Sequence, residues 1–237
     1  MSGHGLPTAT TSINEIKMAL TFYDIFYYGS LIIAVAVGLI FFTKEEPAYR
    51  WLTILVLTTL VSECVAEYLA DTTGNNNINY HFFTPVEYFI YANIFYRFFK
   101  SKQWTGFLIT SVLTLGILEI VNTIYLQPLN EFNSNIQILE NILLVFLSLM
   151  LFVHIRTSYM SEHLLREGVF WFNSIVLIYY TFNILIAGFQ NFKVYEMKDP
   201  PTAIYDINLL LSGLLYLVYA FAIYLNAVKR KTIAIHE

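Results

Sequence analysis

Glu87 lies inside an aromatic, apolar stretch, YHFFTPVEYFIYANIFYRFF, one helical turn after Thr84 and one turn before Tyr91. A carboxyl with threonine and tyrosine on its own helical face can accept hydrogen bonds, hold a cation or exchange a proton. Five more acids fall within apolar runs: Asp24, Glu63, Glu67, Glu119 and Glu140, with Asp206 at the start of the last run. Residues three or four apart share a helical face. Thr84, Glu87, Tyr88 and Tyr91 form one polar stripe, and Glu63 with Glu67 a second. Others are Glu119, Asn122 and Thr123; Gln137, Glu140 and Asn141; Tyr180 and Asn183; Tyr205, Asn208 and Ser212; and Asp24, Tyr27 and Tyr28. Taken singly, each acid could be a hydrogen-bonding bridge between helices. So many groups of one sign point instead to a cation, a metal ion or a proton relay that relieves their repulsion. His81, one turn before Pro85, is placed to pair with Glu67 or Glu87 across the mouth of such a site. His81, Glu63, Glu67 and Glu87 have the ligand types of a metal centre. Their spacing matches no metal signature, so no metal is assigned.

These acids need elements that can carry them through an apolar environment. The chain has 237 residues, 57% hydrophobic and only 13% charged, where a soluble domain carries roughly 25% charged residues. Seven runs have about the 20 mostly apolar residues that a membrane helix needs. They cover about 20–43, 51–70, 80–100, 105–127, 136–157, 169–190 and 205–228. Short links separate them, marked by the Asn75–Asn77 run and by Pro200-Pro201. The fold expected is an all-α integral membrane seven-helix bundle over 20–228. A segment 1–19 outside the membrane precedes it and a cytoplasmic tail 229–237 follows. Residues 1–19 lack the basic start, apolar core and cleavage site of a signal peptide. Pro85 is expected in the first turn of the third helix, where its missing N–H matters little.

Basic residues set the orientation. With the N-terminus outside and the C-terminus cytoplasmic, Lys44, Arg50, Arg97, Lys100, Lys102, Arg156, Arg166, Lys229, Arg230 and Lys231 face the cytoplasm. Only Lys17, Lys193 and Lys198 remain outside. The acids then all lie between mid-membrane and the outer face. A charged side chain facing lipid costs about 2.5–3.5 kcal/mol even on a lenient insertion scale, so the stripes should face one another around an acidic cavity lined by Tyr and Asn. The expected ligand-binding set is Glu87, Glu67, His81, Glu63, Tyr88, Tyr91, Glu119, Asn122, Glu140, Asn141 and Asp206.

Several chemistries lack their residues. A retinal Schiff base needs a lysine deep in the last helix, and 205–228 contains none; no cofactor is expected. No Ser-x-x-Lys or Gly-x-Ser-x-Gly nucleophile occurs. The single Cys64 precludes an internal disulfide and a cysteine metal cluster. A net charge of −4 disfavours nucleic acid as a partner.

Three stretches carry a resemblance: NINYHFFTPVEYFIYANIFYRFF, FWFNSIVLIYYTFNIL and AIYDINLLLSGLLYLVYAFAIY. Together they resemble a large, uncharacterised family of small bacterial seven-transmembrane-helix proteins, loosely associated with sensor histidine kinases. By position, that resemblance singles out Tyr80, His81, Thr84, Pro85, Glu87, Phe170, Trp171 and Tyr180, and implies the bacterial cytoplasmic membrane. The Pro-x-Glu of Pro85–Glu87 also bears a weaker likeness to membrane-bound carotene cyclases, whose Pro-x-Glu-Glu is broken here by Tyr88. The expected function is a sensory or binding protein in the lipid bilayer. It takes a small cationic or polar ligand and acts through a cytoplasmic signalling protein. Two alternatives stay open: an intramembrane enzyme using paired carboxylates on a lipid or isoprenoid, and a transporter or ion-conducting protein.

Overall fold

The computed structural model describes residues 21–158, 164–196 and 202–236, and among these the only regular structure is helical. The long helices are α1 (Phe22–Phe41), α2 (Pro47–Thr73), α3 (Asn77–Phe99), α4 (Lys102–Tyr125), α5 (Ser134–Ser158), α6 (Gly168–Glu196) and α7 (Thr202–His236). All but α3 are long and apolar enough to cross a membrane. α3 is long enough, but it carries many polar side chains, and His81, Thr84, Tyr88 and Tyr91 are buried.

Local chemistry sets the ends. Thr21 caps α1 in a capping box: its side chain accepts from the Asp24 N–H, and the Asp24 carboxylate accepts from the Thr21 N–H at 2.9 Å. Asp24 is thus a capping residue rather than part of a ligand stripe. Pro47 occupies the first turn of α2, where its missing N–H is harmless. Gly74 closes that helix in the left-handed region at φ 71, its N–H donating to the Ala70 carbonyl. Lys100 takes the same conformation after α3, at φ 49, which permits a reversal into α4 within two residues.

Two expectations about boundaries change. α3 begins at Asn77, so Pro85 lies in the helix interior and not in its first turn. There it cannot donate to the His81 carbonyl. The asparagine run does more than interrupt the chain: Asn75 and Asn77 Nδ2 both donate to the Asn130 carbonyl at 2.9 Å, tying the α2–α3 link to the α4–α5 link. The expected tail at 229–237 is helical through His236, as a continuation of α7. The N-terminal segment 1–19 lies outside the described residues.

α1 packs on α2 and α7, α2 on α3, α3 on α5, α5 on α6 and α6 on α7. These six form a closed ring, and α4 lies outside it against α3 and α5. Small residues permit the tightest crossings. A side chain at Gly38 would collide with Thr53, one at Gly168 with the Ala222 carbonyl, and one at Gly213 with the Phe26 ring. One end of the ring interior is packed with aromatic rings, built on Phe95, Phe99, Phe172 and Tyr219. A satisfied polar bridge joins α5 to α6 there: Ser148 Oγ donates to Asn173 Oδ1 at 2.8 Å, and Asn173 Nδ2 donates to the Ser148 carbonyl.

Candidate functional site

The other end of the interior opens into a cavity of about 400 Å³. It lies where α1, α3, α5 and α7 begin and α2 and α6 end, and α4 contributes nothing to its lining. Each of the six ring helices brings one polar face to it, as residues spaced three or four apart must. Glu63 comes from α2, Thr84 and Glu87 from α3, and Gln137, Glu140 and Asn141 from α5. Tyr27 and Tyr28 come from α1, Tyr179, Tyr180 and Asn183 from α6, and Tyr205, Asn208, Ser212 and Tyr216 from α7. Asn76, Asn77 and Phe132 also line it, at the helix ends. No lysine, arginine or histidine is among the described lining residues.

The three carboxyls sit in different surroundings. Glu87 Oε1 accepts from the Tyr180 hydroxyl at 2.9 Å. Tyr180 stands edge-on to Tyr91, with ring centroids 5.5 Å apart, and the Tyr91 hydroxyl is hydrogen-bonded to that of Tyr219. Tyr91 and Tyr219 are fully buried, and their contacts run on into the aromatic cluster through Phe172. Glu63 lies beside Tyr27, whose ring packs 5.7 Å from that of Tyr216. Glu140 is buried, and its Oε1 has no hydrogen-bond partner among the described residues; the same holds for Asn208 Oδ1. The Tyr179 and Ser212 hydroxyls are 3.1 Å apart, joining α6 to α7 along one wall.

Of the expected ligand-binding set, Glu63, Glu87, Glu140 and Asn141 meet at this cavity. The other members of that set lie outside its lining. His81 does not pair with Glu67 or Glu87. Its Nδ1 lies 2.9 Å from Glu119 Oε1 and 3.0 Å from Thr123 Oγ1, and its Nε2 donates to the Glu131 carbonyl at 3.1 Å. Asn133 Nδ2 donates to Glu119 Oε2 at 2.7 Å, and Asn122 Nδ2 to Asn133 Oδ1 at 3.0 Å. His81, Glu119 and Asn122 therefore form a closed brace between α3, α4 and the link to α5, away from the cavity lining. Tyr88 donates to Ser111 on α4 at 2.8 Å. Glu67 accepts from Tyr28 at 2.8 Å and does not line the cavity. Tyr91 also lies outside the lining, behind Tyr180. Asp206 follows the exposed Tyr205 in the first turns of α7, also outside the lining.

With His81 committed to Glu119, the suggested combination with Glu63, Glu67 and Glu87 does not assemble. Among the described residues no three His, Cys, Asp or Glu side chains gather closely enough to hold a metal ion. The sequence reading did not weigh Tyr179, Tyr216 and Thr59 as part of the site. Tyr216 was within reach, because it extends the Tyr205–Asn208–Ser212 stripe by one turn. Thr59 likewise extends the Glu63–Glu67 stripe by one turn, and Tyr179 lies one turn before Asn183.

No family model matches the chain, and no curated protein or solved structure is significantly similar to it. Its chemistry rests on the geometry of this cavity.

Proposed function

We propose that the chain is a sensory or binding protein of a bacterial cytoplasmic membrane. In this reading seven helices cross the membrane, α3 included, and the distribution of basic residues supports an N-terminus outside and a C-terminus in the cytoplasm. The cavity takes a small cationic or polar ligand from the outer side. The observation that carries this reading is the convergence of Glu63, Glu87 and Glu140 on one cavity whose described lining holds no basic residue. Ionisable groups at membrane depth mark ligand and ion sites, and a volume of about 400 Å³ falls in the usual range for small-molecule pockets.

The route to a cytoplasmic partner runs along α7. That helix lines the cavity from Tyr205 to Tyr216, meets Tyr91 through Tyr219, and continues to His236. Near its far end Lys229 Nζ lies 2.6 and 2.8 Å from the Glu167 carboxylate oxygens, which ties it to the start of α6. The resemblance to bacterial proteins loosely associated with sensor histidine kinases supports such a partner. The aromatic floor of Tyr91, Tyr219, Phe95 and Phe172 weighs against a continuous conducting path.

A second reading has its own observation. Glu87, hydrogen-bonded to Tyr180, and Glu140, with one unpartnered oxygen, face one cavity in unlike surroundings, as an acid and base pair does. It predicts turnover of a lipid or isoprenoid that depends on both. The placement of Asn76, Asn77 and Phe132 at the helix ends favours a water-borne ligand instead.

The test is native mass spectrometry of the protein purified in mild detergent, beside Glu87→Gln, with the cellular output of each recorded. A stoichiometric small molecule in the parent, lost together with the output in the variant, is the expected result. An unchanged output in the variant, with neither form carrying a ligand, overturns the reading.

A further inference from the structure

Two buried oxygens specify what the cavity can accept. Glu140 is 2% exposed, it lines the cavity, and its Oε1 has no hydrogen-bond partner among the described residues. Asn208, on α7, lines the same cavity, and its buried Oδ1 is also unpartnered. Both atoms accept hydrogen bonds: an amide oxygen always does, and so does each oxygen of a carboxylate. Buried polar atoms in folded proteins almost always have partners, and an exception calls for an explanation. These two are explained together by a ligand that donates.

The rest of the lining narrows its charge and shape. Glu63 and Glu87 favour a positive ligand and disfavour an anion, and no described lining residue supplies a compensating positive charge. Rings of Tyr27, Tyr28, Tyr179, Tyr180 and Tyr216 line the same space. Tyrosine faces attract cations and pack well on carbon. A bare metal ion is disfavoured because no three ligating side chains gather among the described residues. A quaternary ammonium would satisfy the charge and the rings, but it has no N–H to offer Glu140 or Asn208.

We propose that the cavity binds a small organic molecule through a primary ammonium group. The ammonium donates to Glu140 Oε1, a second hydrogen bond from the molecule reaches Asn208 Oδ1, and the carbon body packs on the tyrosine rings. The inference rests on the cavity being a ligand site.

The experiment is calorimetric titration of the full chain in lipid nanodiscs. The probes are methylammonium, n-butylammonium, 2-phenylethylammonium and 1,4-butanediammonium, each beside its N-permethylated counterpart. At least one primary ammonium is expected to bind, with the permethylated form weaker by about tenfold or more, the effect of losing a charge-assisted hydrogen bond. Glu140→Gln should weaken the same probe by about tenfold or more. If that variant does not fold, the comparison of primary with permethylated probes on the parent decides alone. The proposal is overturned if no primary ammonium binds, if permethylation leaves affinity unchanged, or if folded Glu140→Gln binds as the parent does. Loss of the proposal with a cellular output still dependent on Glu87 leaves the sensory reading standing. Ammonium binding with an output indifferent to Glu87 does the reverse.

Discussion

His81 and Glu87 lie on the same helix and have different roles. His81 is enclosed, with both ring nitrogens engaged, and Glu119 depends on it. Replacing His81 with Ala leaves a buried carboxyl without its ring partner and should destabilise the protein by roughly 2–4 kcal/mol. Glu87→Gln keeps an acceptor for Tyr180 and should leave thermal stability nearly unchanged. Melting curves of the two variants in detergent check this: equal stabilities would show that the His81 brace is not structural. Glu45 offers a third test. It sits in the short stretch KEEPAYR, between α1 and α2, yet it is fully buried, with Thr53 Oγ1 3.2 and 3.1 Å from its two oxygens. Burial pushes its carboxyl from the ordinary 4.5 up to about 7, and the Thr53 hydroxyl and the Arg50 charge oppose that shift. The folded protein thus keeps a proton on Glu45 where the unfolded chain has lost it. Stability from this group is full below about pH 4.5 and is lost as pH rises to about 7. The parent should therefore lose more stability than Glu45→Gln between pH 5 and pH 8, and parallel curves would sink the argument. Residue types and spacing put Glu63, Glu87 and Glu140 on polar faces, and the three line one cavity. Types and spacing did not separate the Glu119 stripe from these, because both have the same periodicity. What diverts Glu119 is Asn133 together with His81, which the Glu131 carbonyl holds in place; Asn133 and Glu131 sit in an irregular link with no pattern to read.

The helices themselves could be read from hydropathy because a run long enough to cross lipid leaves little choice of structure. Their ends could not be read that way. Asn77–Asn79 extend α3 before its apolar run begins, and this is why Pro85 falls in the helix interior. Helix crossings were equally hidden, since a glycine in an apolar run looks alike whether it faces a neighbour or not. Gly38 and Gly29 on α1 show the difference. A Cβ on Gly38 would lie 2.6 Å from Thr53 Oγ1, while one on Gly29 meets nothing within 4 Å. Gly38→Ala should force α1 from α2, disturb the Thr53 contact to Glu45, and cost about 1–3 kcal/mol. Gly29→Ala should be neutral or stabilising by up to roughly 1 kcal/mol, from helix propensity alone. Equal effects of the two in thermal melts would contradict the close α1–α2 crossing.

For the molecule as a whole, the decisive element is α3. Its 23 residues give a length of roughly 35 Å, enough for a hydrocarbon layer of about 30 Å. A helix lying on a membrane surface keeps one broad polar face in water. α3 does the opposite. Ile90, Tyr91 and Ala92 are buried in succession, His81, Thr84 and Tyr88 are enclosed, and the exposed positions Phe82, Val86 and Phe89 are apolar. Most of its polarity points into the bundle and most of its outward surface is apolar, with Tyr96 and Asn93, whose Nδ2 donates to the Phe89 carbonyl at 2.8 Å, as exceptions; this is the arrangement lipid demands. Only two residues separate it from α4, and Gly74–Asn76 separate it from α2, so it must run antiparallel to both neighbours. If α3 crosses, the number of spans is odd and the two ends of the chain lie on opposite sides; if it does not, they share a side. Fusing a fluorescent protein that matures only in the cytoplasm after Glu237 should give fluorescent cells, and alkaline phosphatase at the same place should be inactive. A short tag before Met1 should be reached by protease from outside. Both ends on one side would remove α3 from the membrane. The proposed outer placement of the cavity, which takes Thr84 and Glu87 from that helix, would go with it.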